Sequence, residues 1–389
     1  MDLTWSSAEE RFRAEARAWL TEHLEVWRAG HDGEIASGDT RQGFAIHLEW
    51  ERMLFDAGWA VVSWPEAFGG RDASLWEWLI FEEEYHRAGG PPRITQNGIF
   101  LLAPTVFEFG TPQQQRSVLP RMAAGADLWC QGWSEPNAGS DLAALTSRAR
   151  RVDGGWMLDG QKAWTTRGSF CTHLFGLFRT DPGSERHRGL TYLMVPLDTD
   201  GVTVRGFGRL DGDEGFAEVF FTDAFLADDA LTGGVVLGQV DQGWSVAMAT
   251  TGSERGLTLR SPGRFLAVAD RLLDLYLHGN GSDPDGSLRR RVIDGWMRAE
   301  AYQLFTLGTV TALSEGGSVG AESSLNKIWW SELDVNLHST ALDLLGPEAE
   351  LESTWTKGYQ FALSGPIYAG TNEIQRNIAG ERLLGLPRR

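Results

Sequence analysis

Cysteine is almost absent: Cys130 and Cys171 are the two in 389 residues. Two thiols cannot build a disulfide framework, so a reduced, cytoplasmic setting is expected. A basic excess is also missing. Lys and Arg number 35 against 53 Asp and Glu, a net charge of -18. Nucleic-acid phosphates need a basic face, so nucleic-acid binding is excluded as the main role. Small anions are not excluded, because local backbone amides and single arginines can hold them. No apolar run approaches a membrane span. The N-terminus is charged from Glu9 onward and lacks the apolar core of a signal peptide. Nor is there a G-x-G-x-x-G turn after a first strand, which argues against a nicotinamide-binding parallel sheet. What is present is a globular composition, 42% apolar, with 17 Trp. Large indoles anchor cores and also pack well on flat ligands.

The hydrophobic period divides the chain into three. Residues 4–30 read as an amphipathic helix, with Phe12, Ala16, Trp19 and Leu20 at helical spacing and Ser7 with Glu10 as a capping box. Helices are also expected at 41–57, 74–88, 95–109 and 112–123, the last opened by Thr111 as N-cap and Pro112 at N1. From Asp127 the period alternates. Strands are expected at 128–134, 146–152, 155–159, 172–179, 190–196, 202–206 and 216–221. About one hundred residues of short strands without crossover helices suggest a small barrel or sandwich. From Asp241 helices return, at 241–277, 286–314, 320–345 and 370–384, around a Gly/Asp/Pro-rich loop at His278–Ser287. The expected fold is mainly α with a central β domain: an N-terminal helical domain (1–125), a middle antiparallel β-barrel (126–238) and a C-terminal four-helix bundle (239–389).

Three stretches carry chemistry. Trp129–Asp141, WCQGWSEPNAGSD, opens strand-like and ends in a bare backbone beside hydroxyls, which suits a phosphate. Gly160–Thr166, GQKAWTT, and Tyr368–Asn377, YAGTNEIQRN, follow in that order. Each alone reads as an ordinary loop, strand or helix start. Together they resemble the acyl-CoA dehydrogenase family of flavoproteins, over nearly the whole chain. The loop Trp59–Gly70 resembles that family's connector between N-terminal helices.

The resemblance implies a noncovalent FAD. Gln131, Trp133 and Ser134 match positions along the isoalloxazine ring, and Gly139 and Ser140 match positions near the pyrophosphate. Trp164 matches an indole beside the ring. Thr165 and Thr166 belong to the same motif, with Thr166 matching a hydroxyl that reaches flavin N5. Thr371 and Glu373 match contacts from the C-terminal side, and Gly346 stands where the family has a Gly-Gly pair. The physics agrees: a flat ring needs an aromatic wall and fixed donors. No metal ligand set is assigned. Two departures stand out. The family's Arg-x-x-Phe-Gly segment is replaced by the His278–Ser287 loop and Arg289, Arg290 and Arg291. A Gln of the family appears as Asp343, which would repel a pyrophosphate unless turned away.

Oxidising an acyl-CoA needs a carboxylate to remove the α-proton. Many family members carry this Glu directly after the Tyr of the C-terminal motif, where this chain has Ala369. A smaller group, including isovaleryl-CoA dehydrogenase, carries it on an earlier helix directly before an Arg. Glu254-Arg255 occupies the matching place, so Glu254 is the expected base. One residue on, Arg255 projects about 100° away around a helix and need not pair with it. By resemblance, the Ala369 backbone N–H and a flavin ribityl hydroxyl polarise the thioester carbonyl, and Ser140 and Arg255 contact the substrate. Bulky or branched acyl-CoA substrates, as in steroid side chains, an electron-transfer flavoprotein as acceptor, and a homo- or hetero-oligomer are implied likewise. Trp329, Trp330, Leu333 and Leu337 share a helical face that fits either an interface or an internal core. The competing readings are a flavin oxidase on the same scaffold and a non-catalytic subunit of a mixed complex.

Overall fold

The first helical period becomes α1, Ser7–Ala29, in a computed structural model that describes residues 4–31, 35–255, 261–279, 281 and 283–387; the side chains of 253–255 lie outside that description. The capping box is one residue earlier than Ser7 and Glu10 suggested. Ser6 accepts from the Glu9 N–H at 3.3 Å, and the Glu9 carboxylate accepts from the Ser6 N–H at 2.7 Å. Adjacent serines, each with a Glu three residues on, offer two starts, and the helix takes the earlier one. Next come α2 (Arg41–Asp56), α3 (Leu75–Arg87), a π-helical turn (Asn97–Leu102) running into α4 (Ala103–Phe109), and α5 (Pro112–Ala123). Thr111 caps α5 as expected.

Contacts within the chain group it into two units, one holding residues 1–30, 73–91 and 255–389, the other 31–72 and 92–254. In the first, α1 and α3 are joined through Glu84, which accepts from Arg13 at 3.0 Å and from Arg17 at 2.8 Å. Four further long or medium helices follow: α7 (Pro262–His278), α8 (Ser287–Ser314), α9 (Ser323–Leu345) and α11 (Asn372–Arg382). The short α10 (Thr354–Ala362), capped by Ser353, was not anticipated. Phe265, Leu272, Ala299, Tyr302, Trp330, Leu333 and Leu337 make the shared core of α7, α8 and α9. Trp330, Leu333 and Leu337 therefore serve an internal core, and Trp329 alone of that face is exposed. Gly263 allows α7 to approach α3: a Cβ there would lie 2.8 Å from the Glu83 Cα.

The expected helix 241–277 is two helices. α6 covers Gly243–Arg255, and α7, in the first unit, starts afresh with Ser261 as N-cap and Pro262 at N1. A proline inside a helix removes a hydrogen bond and clashes with the preceding turn, at a cost of about 3 kcal/mol, whereas at N1 it costs nothing.

The rest of the second unit is one eight-stranded sheet: β1 (Trp129–Gly132), β2 (Arg148–Val152), β3 (Gly155–Thr166), β4 (His173–Arg179), β5 (Leu190–Pro196), β6 (Val202–Phe207), β7 (Phe216–Ala227) and β8 (Val236–Leu237). Their order is β6-β7-β3-β2-β4-β5-β8, with β1 attached to β4. The sheet is mixed, which corrects the all-antiparallel expectation: β1 runs parallel to β4, and β2 meets β4 parallel at Arg148↔Arg179. Residues 133–172 separate β1 from β4 and supply the long return that a parallel pair needs. Alternation along a four-residue strand does not encode direction. β3 continues past Gly160 because that glycine, at φ 140°, absorbs a register shift against β7; a Cβ there would lie 2.4 Å from the Ser147 hydroxyl. Cys130, Leu158, Leu174, Phe178, Val195, Val219 and Leu226 form the core of this sheet. Among the described residues, no helix is long and apolar enough to cross a membrane.

Candidate active site

β1 ends at Gln131-Gly132, Trp133-Ser134 follow it, and a buried ion pair holds the turn. The Lys162 ammonium, fully enclosed, donates to Glu135 at 2.9 Å and to the Leu177 carbonyl at 2.7 Å, with the Trp133 carbonyl at 3.5 Å. Glu135 also accepts from the Thr146 N–H at 2.6 Å, the Thr146 hydroxyl at 2.9 Å and the Ser147 N–H at 2.9 Å. Burial by itself would raise the Glu135 carboxyl, but the Lys162 charge and these donors outweigh it and hold the group down to about 2. Burial pulls the Lys162 ammonium down while Glu135 opposes it. Neither residue had been singled out from sequence, because a Glu after a strand and a Lys within one look like surface residues.

This knot lays the end of β1 along β3, where the Ala163 N–H donates to the Ser134 carbonyl at 2.9 Å. β3 carries a second register shift against β7 between Lys162 and Thr165. Trp164 sits in that bulge with φ 59°, a conformation bulky residues rarely adopt, and its indole is 61% exposed. It is not a core tryptophan. Phe207 and Phe216 meet it edge-on at 5.3 and 5.6 Å. Thr165 is buried and Thr166 half-buried, its carbonyl accepting from the Asn97 amide at 3.4 Å.

Four buried polar atoms in this region, Trp129 Nε1, Gln131 Nε2, Trp133 Nε1 and Thr165 Oγ1, have no hydrogen-bond partner among the described residues. Native interiors seldom leave such groups unpaired, so a cluster of them beside an exposed indole fits a flat, polar-edged cofactor such as a flavin. Gly139 and Ser140 are exposed, and a Cβ on Gly139 would meet nothing within 4 Å. The chain itself therefore does not demand glycine there. Asp141 is occupied by Arg186 at 2.7 Å.

In the other unit, the C-terminal motif forms a sharp turn before α11. Ala369 and Gly370 both have positive φ, 56° and 78°. Tyr368 rests on Trp330, and Asn372 is fixed by the buried Lys327 at 2.8 Å and by Ser331 at 3.1 Å. Thr371 caps α11 by accepting from the Ile374 N–H. Glu373 is exposed; bonds from its own backbone and the Thr371 hydroxyl lower its carboxyl pKa. Gln375 donates to the Ala369 carbonyl at 3.0 Å, and its buried Oε1 has no partner among the described residues. The Ala369 N–H likewise makes no hydrogen bond among the described residues. Gly346 is exposed with φ 56°. Asp343 pairs with Arg291, so its charge is engaged by a cation. The Glu254 and Arg255 side chains lie outside the described residues, although their backbone ends α6.

Acyl-CoA dehydrogenase family profiles match the chain from end to end: the N-terminal domain at residues 6–126, the middle domain at 130–224 and the C-terminal domain at 241–384. The acyl-CoA dehydrogenase IpdE1 of Mycobacterium tuberculosis is 39% identical, across 97% of this chain and 98% of that protein. IpdE1 of Mycolicibacterium smegmatis is 38% identical with the same coverage. A solved structure titled Tcur3481-Tcur3483 steroid ACAD matches with a TM-score of 0.84 at 25% identity, over 100% of both chains. The ChsE4-ChsE5 complex from Mycobacterium tuberculosis matches with a TM-score of 0.81 at 26% identity, again over 100% of both. The chain belongs to the acyl-CoA dehydrogenase family, and its reaction is the FAD-dependent dehydrogenation of an acyl-CoA thioester.

Proposed function

We propose that Glu254 is the base that takes the α-proton and that the Ala369 N–H stabilises the charge growing on the thioester oxygen. The observation that carries this reading is Ala369 itself. It has no carboxylate, yet its backbone N–H is unpaired among the described residues, in a turn held open by positive φ. A donor kept free of internal partners loses nothing when it turns to a developing oxyanion. Glu254 supplies the carboxylate that Ala369 lacks, one residue before Arg255. FAD, when bound, supplies the acceptor for the β-hydrogen's hydride. Gln131, Trp133, Ser134, Trp164, Thr165 and Thr166 hold and orient its ring. Gly139 and Ser140 meet its phosphates, and Gly346, Thr371 and Glu373 contact it from the C-terminal part. Ser140 and Arg255 contact the substrate.

Bulky acyl groups of the steroid side-chain kind are the proposed substrates, supported by the steroid ACAD named among the matches. A homo- or hetero-oligomer is proposed, and the matches that are two-component complexes support the mixed form. Exposed Ile293, Trp296, Met297, Leu304 and Phe305 along α8 offer an apolar surface for it. An electron-transfer flavoprotein as acceptor, a cytoplasmic location, division at 1–125, 126–238 and 239–389, and barrel and four-helix-bundle forms for the last two parts complete the proposal. Glu254→Gln tests its core. The variant should keep FAD and bind acyl-CoA but lose roughly 10²–10⁴ in the rate of flavin bleaching. Moving the carboxylate with Glu254→Gly and Ala369→Glu should return part of it. Wild-type bleaching in Glu254→Gln would exclude Glu254 as the base.

A further inference from the structure

Two residues with left-handed backbone bracket Thr165-Thr166: Trp164 at φ 59° and Arg167 at φ 57°. Each is a strained conformation that persists only where the surroundings over-determine it. For Arg167 the determinants are visible. Its N–H donates to the Gly215 carbonyl at 2.9 Å, and its guanidinium donates to Asp39 at 2.5 Å and to the Arg93 carbonyl at 3.4 Å. Asp39 is 6% exposed, and its second oxygen accepts from Arg209. Arg209 in turn holds Asp211 at 2.7 Å and Asp213 at 3.5 Å. This folds the β6–β7 connection around the guanidinium so closely that a Cβ on Gly215 would lie 2.3 Å from Arg209 Nη1. That connection starts at Phe207 and ends at Phe216, the two rings that flank Trp164. Burial opposes ionisation of Asp39, but the two guanidiniums outweigh it and keep the carboxyl below its ordinary range.

We infer that Asp39 is a positioning residue for the reaction: by bridging Arg167 and Arg209 it sets the conformation of Trp164–Thr166 and of the aromatic flanks against which the flavin lies. The inference rests on the proposed reading that Trp164, Thr165 and Thr166 wall the cofactor. Asp39 acts through Arg167 and Arg209 rather than by touching cofactor or substrate. Its effect is exerted through one carboxylate shared by two cations, which breaks when one oxygen is replaced by an amide NH2 that cannot accept.

The test uses the purified holoenzyme. Asp39→Asn should lower kcat roughly tenfold or more while KM stays within about twofold, since small misplacements of reacting groups cost rate first. The flavin's visible circular dichroism and midpoint potential should move in the same sense as in Thr166→Ala. Asp39→Glu should recover part of both. An Asp39→Asn enzyme with wild-type kcat and an unmoved flavin band, differing only in melting temperature, would reduce Asp39 to a structural tie and overturn the inference. Should Asp39→Asn fail to retain flavin, Arg209→Lys breaks the same bridge more gently, and an unmoved band there is equally fatal. An unmoved band in Thr166→Ala instead overturns the flavin-wall reading, and the inference falls with it.

Discussion

Glu135 and Lys162 illustrate how much one buried pair can decide at the scale of a residue. Removing a single partner from such a pair costs about 3–5 kcal/mol, because the other charge is left uncompensated. The sign of its pH dependence follows from the carboxyl's downward shift. A depressed folded pKa stabilises above the unfolded value of 4.5 and loses that contribution as pH falls toward 2. The shift corresponds to about 3 kcal/mol at neutral pH. Glu135→Gln should therefore lower the melting temperature at pH 7, and the gap from wild type should close between pH 4.5 and 2. Thermal scans across that range decide it; a gap independent of pH would mean the pair does not set the stability of the turn. From sequence, Trp133 and Ser134 stood out, but the pair that holds them did not. A buried charge is recognisable only by its partner, here 27 residues away.

At the scale of an element, β3 is the informative case. Its first half was legible in the alternation after Gly155, and its second half was not, because two register shifts interrupt the period. The bulge at Ala163-Trp164 turns an indole outward that would otherwise alternate into the core. Trp164→Ala removes the aromatic wall while relieving little of the backbone strain, and FAD occupancy after gel filtration should drop. Full occupancy in that variant would count against Trp164 as a flavin contact. α7 teaches the complementary lesson. Pro262 was in plain sight, yet an unbroken apolar period over 241–277 masked a helix start that N-capping by Ser261 makes unambiguous.

For the whole molecule, charge and exposed surface point to assembly. The net charge of -18 opposes self-association. Yet α8 leaves Ile293, Trp296, Met297, Leu304 and Phe305 exposed, more large apolar side chains than one helix face commonly shows to water. Light scattering at micromolar concentration should find a dimer or larger species, alone or with a second chain. Weaker association at low salt would follow from the charge. A monomer under all salts would end the proposal. Trp330, Leu333 and Leu337 no longer contribute to it, since they fill the core between α7, α8 and α9.

Composition, period and three short motifs determined the helical–β–helical order, the family, the flavin and most residues expected to touch it. These depend on residue type at close spacing, which a linear text preserves. Only the tertiary structure decided the rest: the parallel pairing of β1 with β4, the outward indole of Trp164, the Glu135–Lys162 knot and the Asp39 bridge. Each joins residues tens of positions apart, up to 170 between Asp39 and Arg209. Local pattern reports which face a side chain prefers, whereas strand direction and ion pairing are settled by what the folded chain brings opposite it.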